Sequence, residues 1–177
     1  RSPPPRISRA PETSSAGPLR DIAVGGPNYL VGEAAVGAAW ILLGSYVVSH
    51  LTDASEADAP VFPLIPQGET ARTLQVHGLR HREDFGRAVG LVRVGAERLL
   101  AVGAPLGDYA GTGQSGGVLF YSVSASGGLV PKPVAVFGGE TLRPGSLVGQ
   151  TIAVGSAAVE ERDHVVVGAP NSSALNI

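Results

Sequence analysis

Histidines, carboxylates and glycine-rich loops are the residues of this chain whose types could do chemistry, and their spacing decides which chemistry is open to them. His77 and His81 stand four apart, the interval that puts two imidazoles on one helix face for zinc. Gly78 lies between them, Thr73-Leu74-Gln75-Val76-His77 alternates as a strand does, and no third ligand is near, so both are loop histidines. Gly111-Thr112-Gly113-Gln114-Ser115-Gly116 has the glycines of a dinucleotide loop, but it precedes a strand signal where that fingerprint needs a helix. Calcium takes about 6–8 oxygen ligands, and Glu97 stands alone beside Arg98. Glu160, Glu161 and Asp163 are closer to a set, yet Glu160 and Glu161 point to opposite faces of an extended segment, with Arg162 before Asp163 and no Gly to fold the loop. No Gly-x-Ser-x-Gly elbow, phosphate loop with Lys or paired-carboxylate constellation occurs. Cysteine is absent, which removes thiolate chemistry, disulfides and Cys-based metal sites. The expectation is a chain with no catalytic residue, no metal site and no cofactor.

The elements that carry these residues are short strands. Between Arg82 and Val123 lie three apolar runs, Arg87 to Val94, Leu99 to Val102 and Val118 to Val123. A tight polar turn, Gly95 to Arg98, and a Gly-rich loop, Gly103 to Gly117, separate them. Runs of this length, rich in Val, Leu and aromatics and bounded by Gly and Pro, are strand signals. Leu99-Leu100-Ala101-Val102 has no polar alternation, so both faces of that strand are expected to be covered.

The stretch recurs. Leu100-Ala101-Val102-Gly103-Ala104-Pro105 is echoed by Val165-Val166-Val167-Gly168-Ala169-Pro170 and, more loosely, by Ile22-Ala23-Val24-Gly25-Gly26-Pro27. The proline offsets are 78 and 65, a period near 65 with one insertion. Phe85-Gly86-Arg87-Ala88-Val89 is matched by Val148-Gly149-Gln150-Thr151-Ile152. Gly117-Val118-Leu119-Phe120-Tyr121 is matched by Gly37-Ala38-Ala39-Trp40-Ile41. Self-similarity at a fixed period marks an architecture whose units bury their apolar faces against neighbours. Glycine serves where backbones approach closely, Pro105 ends ladder pairing after the buried strand, and Phe85 is a plug between adjacent units.

At these residues the chain resembles the FG-GAP repeat, the blade unit of integrin alpha-subunit propellers and of glycosylphosphatidylinositol-specific phospholipase D. The landmarks are Phe85, Gly86, Gly103, Ala104, Pro105, Gly168, Ala169 and Pro170. Val148 stands where the second copy would have Phe, and Gly26 where the first would have Ala. The resemblance implies an all-β fold, part of a β-propeller of four-stranded antiparallel blades, with about two to two and a half blades present. It covers most of 21–49 and 80–177. Many FG-GAP blades carry an Asp-rich calcium loop between the first two strands. The corresponding hairpins, at Val94 to Arg98 and Ser156 to Asp163, lack its spacing, so no calcium residues carry over.

Composition agrees with many short strands and frequent turns: 25 Gly, 14 Pro and 5% aromatic residues in 177. A net charge of −2 gives no electrostatic drive toward nucleic acid or an anionic membrane, and no run approaches 18 apolar residues. Residues 1–20, Pro- and Arg-rich, are expected as an extended tail, and 21–177 as the partial propeller with an acidic Pro-rich insertion at 50–72. Arg rather than Met at position 1 points to a processed chain or a segment of a longer one. Strands are expected at about 21–25, 38–43, 73–77, 86–94, 99–103, 117–123, 133–137, 148–155 and 164–168, with Leu100, Val102, Val166 and Phe120 buried between blades.

The functional expectation is a non-enzymatic protein-binding or adhesion segment of an extracellular or surface protein, with a protein partner or other chains completing the propeller. Two alternatives stand beside it: the propeller portion of a larger hydrolase resembling the phospholipase D above, and a structural subunit of a large assembly. Loops held by a rigid scaffold carry binding, so Asp108, Tyr109 and Gln114, after the Gly-Ala-Pro turn, are the candidate contact residues. Asn171-Ser172-Ser173 is an Asn-x-Ser sequon, which makes Asn171 a glycosylation candidate.

Overall fold

A computed structural model describes residues 21–44, 73–78, 80, 82–109, 113–123, 129–138, 143–156 and 163–172. The expected tail at 1–20 and the insertion at 50–72 lie outside the described residues. Every element named among the described residues is a strand, and this part of the chain is all-β. In order they are β1 (Ile22–Gly26), β2 (Leu30–Val31), β3 (Ala34–Ala35), β4 (Ala38–Leu42), β5 (Thr73–His77), β6 (Val89–Val94), β7 (Glu97–Ala104), β8 (Gly117–Val123), β9 (Ala135–Phe137), β10 (Thr151–Ser156) and β11 (Asp163–Gly168).

Three antiparallel sheets follow one another along the chain. The first runs β1-β4-β5, the middle β6-β7-β8-β9, and the third β10-β11; β2 and β3 form a small hairpin of their own. In the middle sheet Leu91 faces Leu100, Leu100 faces Tyr121, and Leu119 faces Val136 across the ladders.

Alternation along β7 and β8 builds two cores. Leu100, Val102, Ala104, Leu119, Tyr121 and Val123 pack with Ala39, Ile41 and Val76 of the first sheet and with Phe85. On the opposite face Val92, Ala101 and Val118, with Leu99 and Phe120, pack against Ile152, Val154, Val165 and Val167 of the third sheet. The middle sheet is therefore covered on both sides, as its unbroken apolar run requires. Phe85, fully buried, wedges between the first and middle sheets with its ring edge-on to Tyr121, centroids 6.1 Å apart. Each such buried side chain contributes about 1.5–3 kcal/mol of transfer free energy.

The two joints between sheets are built alike. A Cβ on Gly25 would fall inside 3.0 Å of the Gly86 carbonyl oxygen, and one on Gly103 would do the same to Gly149. Gly86 and Gly149 both take positive φ, 88° and 87°. The hydrogen bonds repeat as well. Gly86 N donates to Gly103 O at 2.9 Å and Gly149 N to Gly168 O at 3.1 Å, while Arg82 N donates to Ala35 O and Gly145 N to Gln114 O at 2.9 and 3.1 Å. Asp84 and Leu147, equivalent residues 63 apart, share left-handed φ values of 57° and 58°. The repeat legible in sequence is thus a repeat of backbone conformation and contact.

Several expectations need correction. The strand expected from residue 86 begins at Val89, because Gly86 is left-handed and Arg87 N closes a turn onto Asp84 O. For the same reason β10 begins at Thr151 rather than 148: Gly149 is left-handed, and Val148 makes only an isolated parallel bridge with Gly116. The strand expected from 133 begins at Ala135, after Pro133, which has no N–H for a ladder. Val166, expected in the core, is 66% exposed. Period two sends Val165 and Val167 inward and turns Val166 outward. Phe120 is half-buried against the second core.

Candidate functional site

The register places two loops at one end of the middle sheet. Val89 pairs with Val102, so the segment leading into β6 and the loop leaving β7 meet there, while the Gly95-Ala96 turn closes the other end. Leu106 N donates to Glu83 O at 3.1 Å and joins the two loops through backbone.

Side chains reinforce the joint. Glu83 is almost wholly buried, at 3% exposure, and its Oε2 accepts from the Tyr109 hydroxyl at 2.9 Å. Arg80 lies over the same carboxylate, Nε to Oε1 3.9 Å, and its guanidinium donates to Asp108 O at 3.2 Å. Glu83 Oε1, Asp108 Oδ1 and Tyr121 Oη are buried without a hydrogen-bond partner. Burial, reinforced by Glu83, pushes the Tyr121 phenol up to about 12. Burial first, and then the charge and acceptor of Glu83, drive Tyr109 well above its usual 10. Both phenols stay protonated at neutral pH, and the Tyr109 hydroxyl is the donor to Glu83. The chemistry of this cluster is positional: it clamps the loops.

Of the three candidate contact residues, Tyr109 is half-buried with its hydroxyl on Glu83, Asp108 is half-buried with Oδ1 enclosed, and Gln114 is exposed. Asn171 is exposed on the turn after Pro170, its N–H donating to Ser146 O at 3.4 Å, the position Leu106 holds toward Glu83. The side chains of His77 and His81, and residues Glu160 and Glu161, lie outside the described residues. Glu97 is exposed beside Arg98, whose guanidinium pairs with Asp21. Among the described residues no three His, Cys, Asp or Glu side chains gather as a metal set.

Sequence reasoning missed two features. Glu83 went unnoticed, although an acid two residues before the buried Phe85, where the next repeat has Ser146, is a signal; both positions are buried. The second is the β2–β3 hairpin, which occupies the loop after β1 as Gly107 to Ser115 occupies the loop after β7. Gly37 N donates to Tyr29 O at 3.0 Å, and Gly116 N to Gly107 O at 2.9 Å. Its tip turns at Gly32, φ 61°, and holds Leu30 and Val31 exposed, at 59% and 47%. Leu-Val before Gly-Glu was legible as a hairpin. The tip and Gln114 thus project from equivalent loops.

Among known proteins, no family model and no curated protein matches the chain.

Proposed function

We propose that the chain is a section of an FG-GAP β-propeller that binds a protein through the loops at the clamped end of its sheets, in an extracellular or cell-surface setting. The observation that carries this reading is the twice-built joint, in which Gly25 meets Gly86 and Gly103 meets Gly149 by the same backbone contact. A third sheet equivalent to the first two, and a middle sheet of four strands in sequential order, fit blades of one propeller. Protein binding is supported by the exposed apolar pair Leu30 and Val31, on the loop equivalent to the one that carries Gln114. The sequon at Asn171 suits the same setting.

The test is site-specific photo-cross-linking in the native protein. Probes at Leu30 and at Gln114 are expected to capture the same protein partner, and a probe at Val94, exposed at the other end, is expected not to. Equal capture at both ends, or none at Leu30 and Gln114, overturns the assignment of the surface.

A further inference from the structure

The first joint carries a surface that the second, built on the same backbone, does not. Ala35 pairs with Leu30 across the β2–β3 hairpin, and its carbonyl accepts from Arg82 N at 2.9 Å. Glu83, the next residue, accepts through its own carbonyl from Leu106 N at 3.1 Å. Leu30, Arg82 and Leu106 therefore follow one another across the joint, and all three are exposed. At the second joint Gly145 N donates to Gln114 O and Asn171 N to Ser146 O. Gly145 and Asn171 thus hold the backbone places of Arg82 and Leu106, so the joint itself needs neither the cation nor the leucine.

Arg82 is also held in a conformation that does not suit it. Its φ is 62°, and Gly145, the equivalent residue, takes 77°. Nothing lies within 4 Å of a Cβ built on Gly145, so the left-handed backbone, and not lack of space, is what favours glycine there. A non-glycine residue at such a φ is uncommon, and strain kept at an exposed residue points to a task for its side chain. The arginines on either side have tasks already: Arg80 Nε lies 3.9 Å from Glu83 Oε1, and a guanidinium nitrogen of Arg87 3.9 Å from Asp84 Oδ2. The Arg82 guanidinium pairs with no carboxylate among the described residues. The acid of the hairpin, Glu33, is exposed on the turn between Val31 and Ala34, two residues along from the rung that meets Arg82.

We propose that the first joint docks a segment of a partner protein in which a carboxylate stands close to an apolar side chain, an inference that deepens the binding reading above and rests on it. Arg82 takes the carboxylate, which the guanidinium fork matches with two parallel hydrogen bonds. Leu30, Val31 and Leu106, exposed at 59%, 47% and 39%, cover the apolar side chain. Docking removes water from around the ion pair and strengthens it. Glu33 sets the direction of the segment, because it repels an acid at the hairpin tip while Arg82 attracts one at the joint.

The test pans a phage-displayed library of random peptides on the native protein. Enriched peptides are expected to carry Asp or Glu within a few residues of Leu, Ile, Val or Phe, and to be captured by a photo-cross-linking probe at Leu30. Arg82→Gly should weaken such a peptide about tenfold, and in that variant changing the peptide's own acid to its amide should add little. Added salt should weaken binding to the parent protein and leave binding to Arg82→Gly nearly unchanged. The variant installs the residue that stands at 145, so urea unfolding should show little change in stability, which separates lost binding from lost fold. Enriched peptides without an acid, affinity indifferent to Arg82→Gly, or no enrichment at all overturns the proposal. A dimer of the parent protein that Arg82→Gly abolishes makes a second copy the occupant and overturns it equally. Where acid-free peptides are captured at Leu30 and Gln114, the binding reading survives and only the partner's chemistry falls. Where peptides are captured at Val94 alone, that reading falls with it.

Discussion

Replacing Gly103 by alanine adds one methyl group at the joint between the middle and third sheets. Its Cβ would sit 2.1 Å from the Gly149 carbonyl oxygen, and ordinary contact begins near 3.4 Å, so the backbones must part by about 1.3 Å. Neither neighbour is a flexible side chain that could swing away. Parting by that much forfeits a quarter to a half or more of each dispersion contact across the second core, an overpacking cost of about 1–3 kcal/mol. Gly103 N also donates to Ala88 O at 2.8 Å and Gly103 O accepts from Gly86 N, so one or two hydrogen bonds worth about 0.5–1.5 kcal/mol each are disturbed. The expected loss is about 3–5 kcal/mol, and Gly25→Ala should behave alike. Gly155→Ala makes the same chemical change where nothing lies within 4 Å and should be neutral or stabilising by about 0.4–1 kcal/mol. Gly168→Ala meets the Thr151 side chain and no backbone nearer than 3.8 Å, so a rotamer change at about 0.5–1.5 kcal/mol relieves it. Urea unfolding at constant m-value reads all four. A Gly103→Ala variant within about 1 kcal/mol of Gly155→Ala would refute the backbone-to-backbone joint.

Leu100→Ala should cost about 2–5 kcal/mol in the same assay, since Leu100 is fully buried in the first core; a loss below about 1 kcal/mol contradicts its placement. Tyr109→Phe should cost about 1–3 kcal/mol by taking a donor from buried Glu83, whereas Tyr121→Phe, whose hydroxyl has no partner, should be neutral or stabilising; the reverse order would mean that Tyr121 is the residue serving Glu83. Both phenols titrate higher in the folded chain than the ordinary 10. Their contribution is complete below that value and is lost as pH rises through the folded values, which for Tyr121 is about 12. Stability should fall above pH 10, and a phenolate absorbance step for either residue at 10 in the folded protein would count against the burial. Asp163 titrates below its usual 3.8, chiefly because Arg93 N–H donates to it. Its contribution is present above 3.8 and is lost as pH falls through the lower folded value, so the stability difference from Asp163→Asn should vanish in strong acid; a difference that persists there would place its origin elsewhere.

How much of this was legible follows from the kind of signal each feature leaves. The paired strands at 97–104 and 117–123 show as apolar runs because both their faces are buried. The joints show as glycines at recurring offsets because no Cβ fits there. Strand starts were misplaced at 86 and 148 because a left-handed glycine reads in sequence like any other glycine in a strand's approach. Val166 misled because its neighbours Val165 and Val167 are also valine, so composition hides which way alternation runs when a strand is covered on one side only. Glu83 escaped because its partner, Tyr109, lies 26 residues away, and only the register of β6 on β7 brings their two loops together.

The joints have a consequence for how such a chain tolerates change. At the joints carbonyl oxygens rest on glycine α-carbons, so there the pitch between units is set by the main chain, with the side-chain cores packing to fit it. Phe85 and Val148 differ greatly in size yet stand at equivalent, fully buried positions under the same pitch. Mutational drift can therefore exchange nearly every side chain between the glycines, with compensating swaps confined to one core at a time, and leave the spatial frame of the loops intact. Lineages descending from one ancestor would keep a common geometry long after residue-by-residue likeness had worn away.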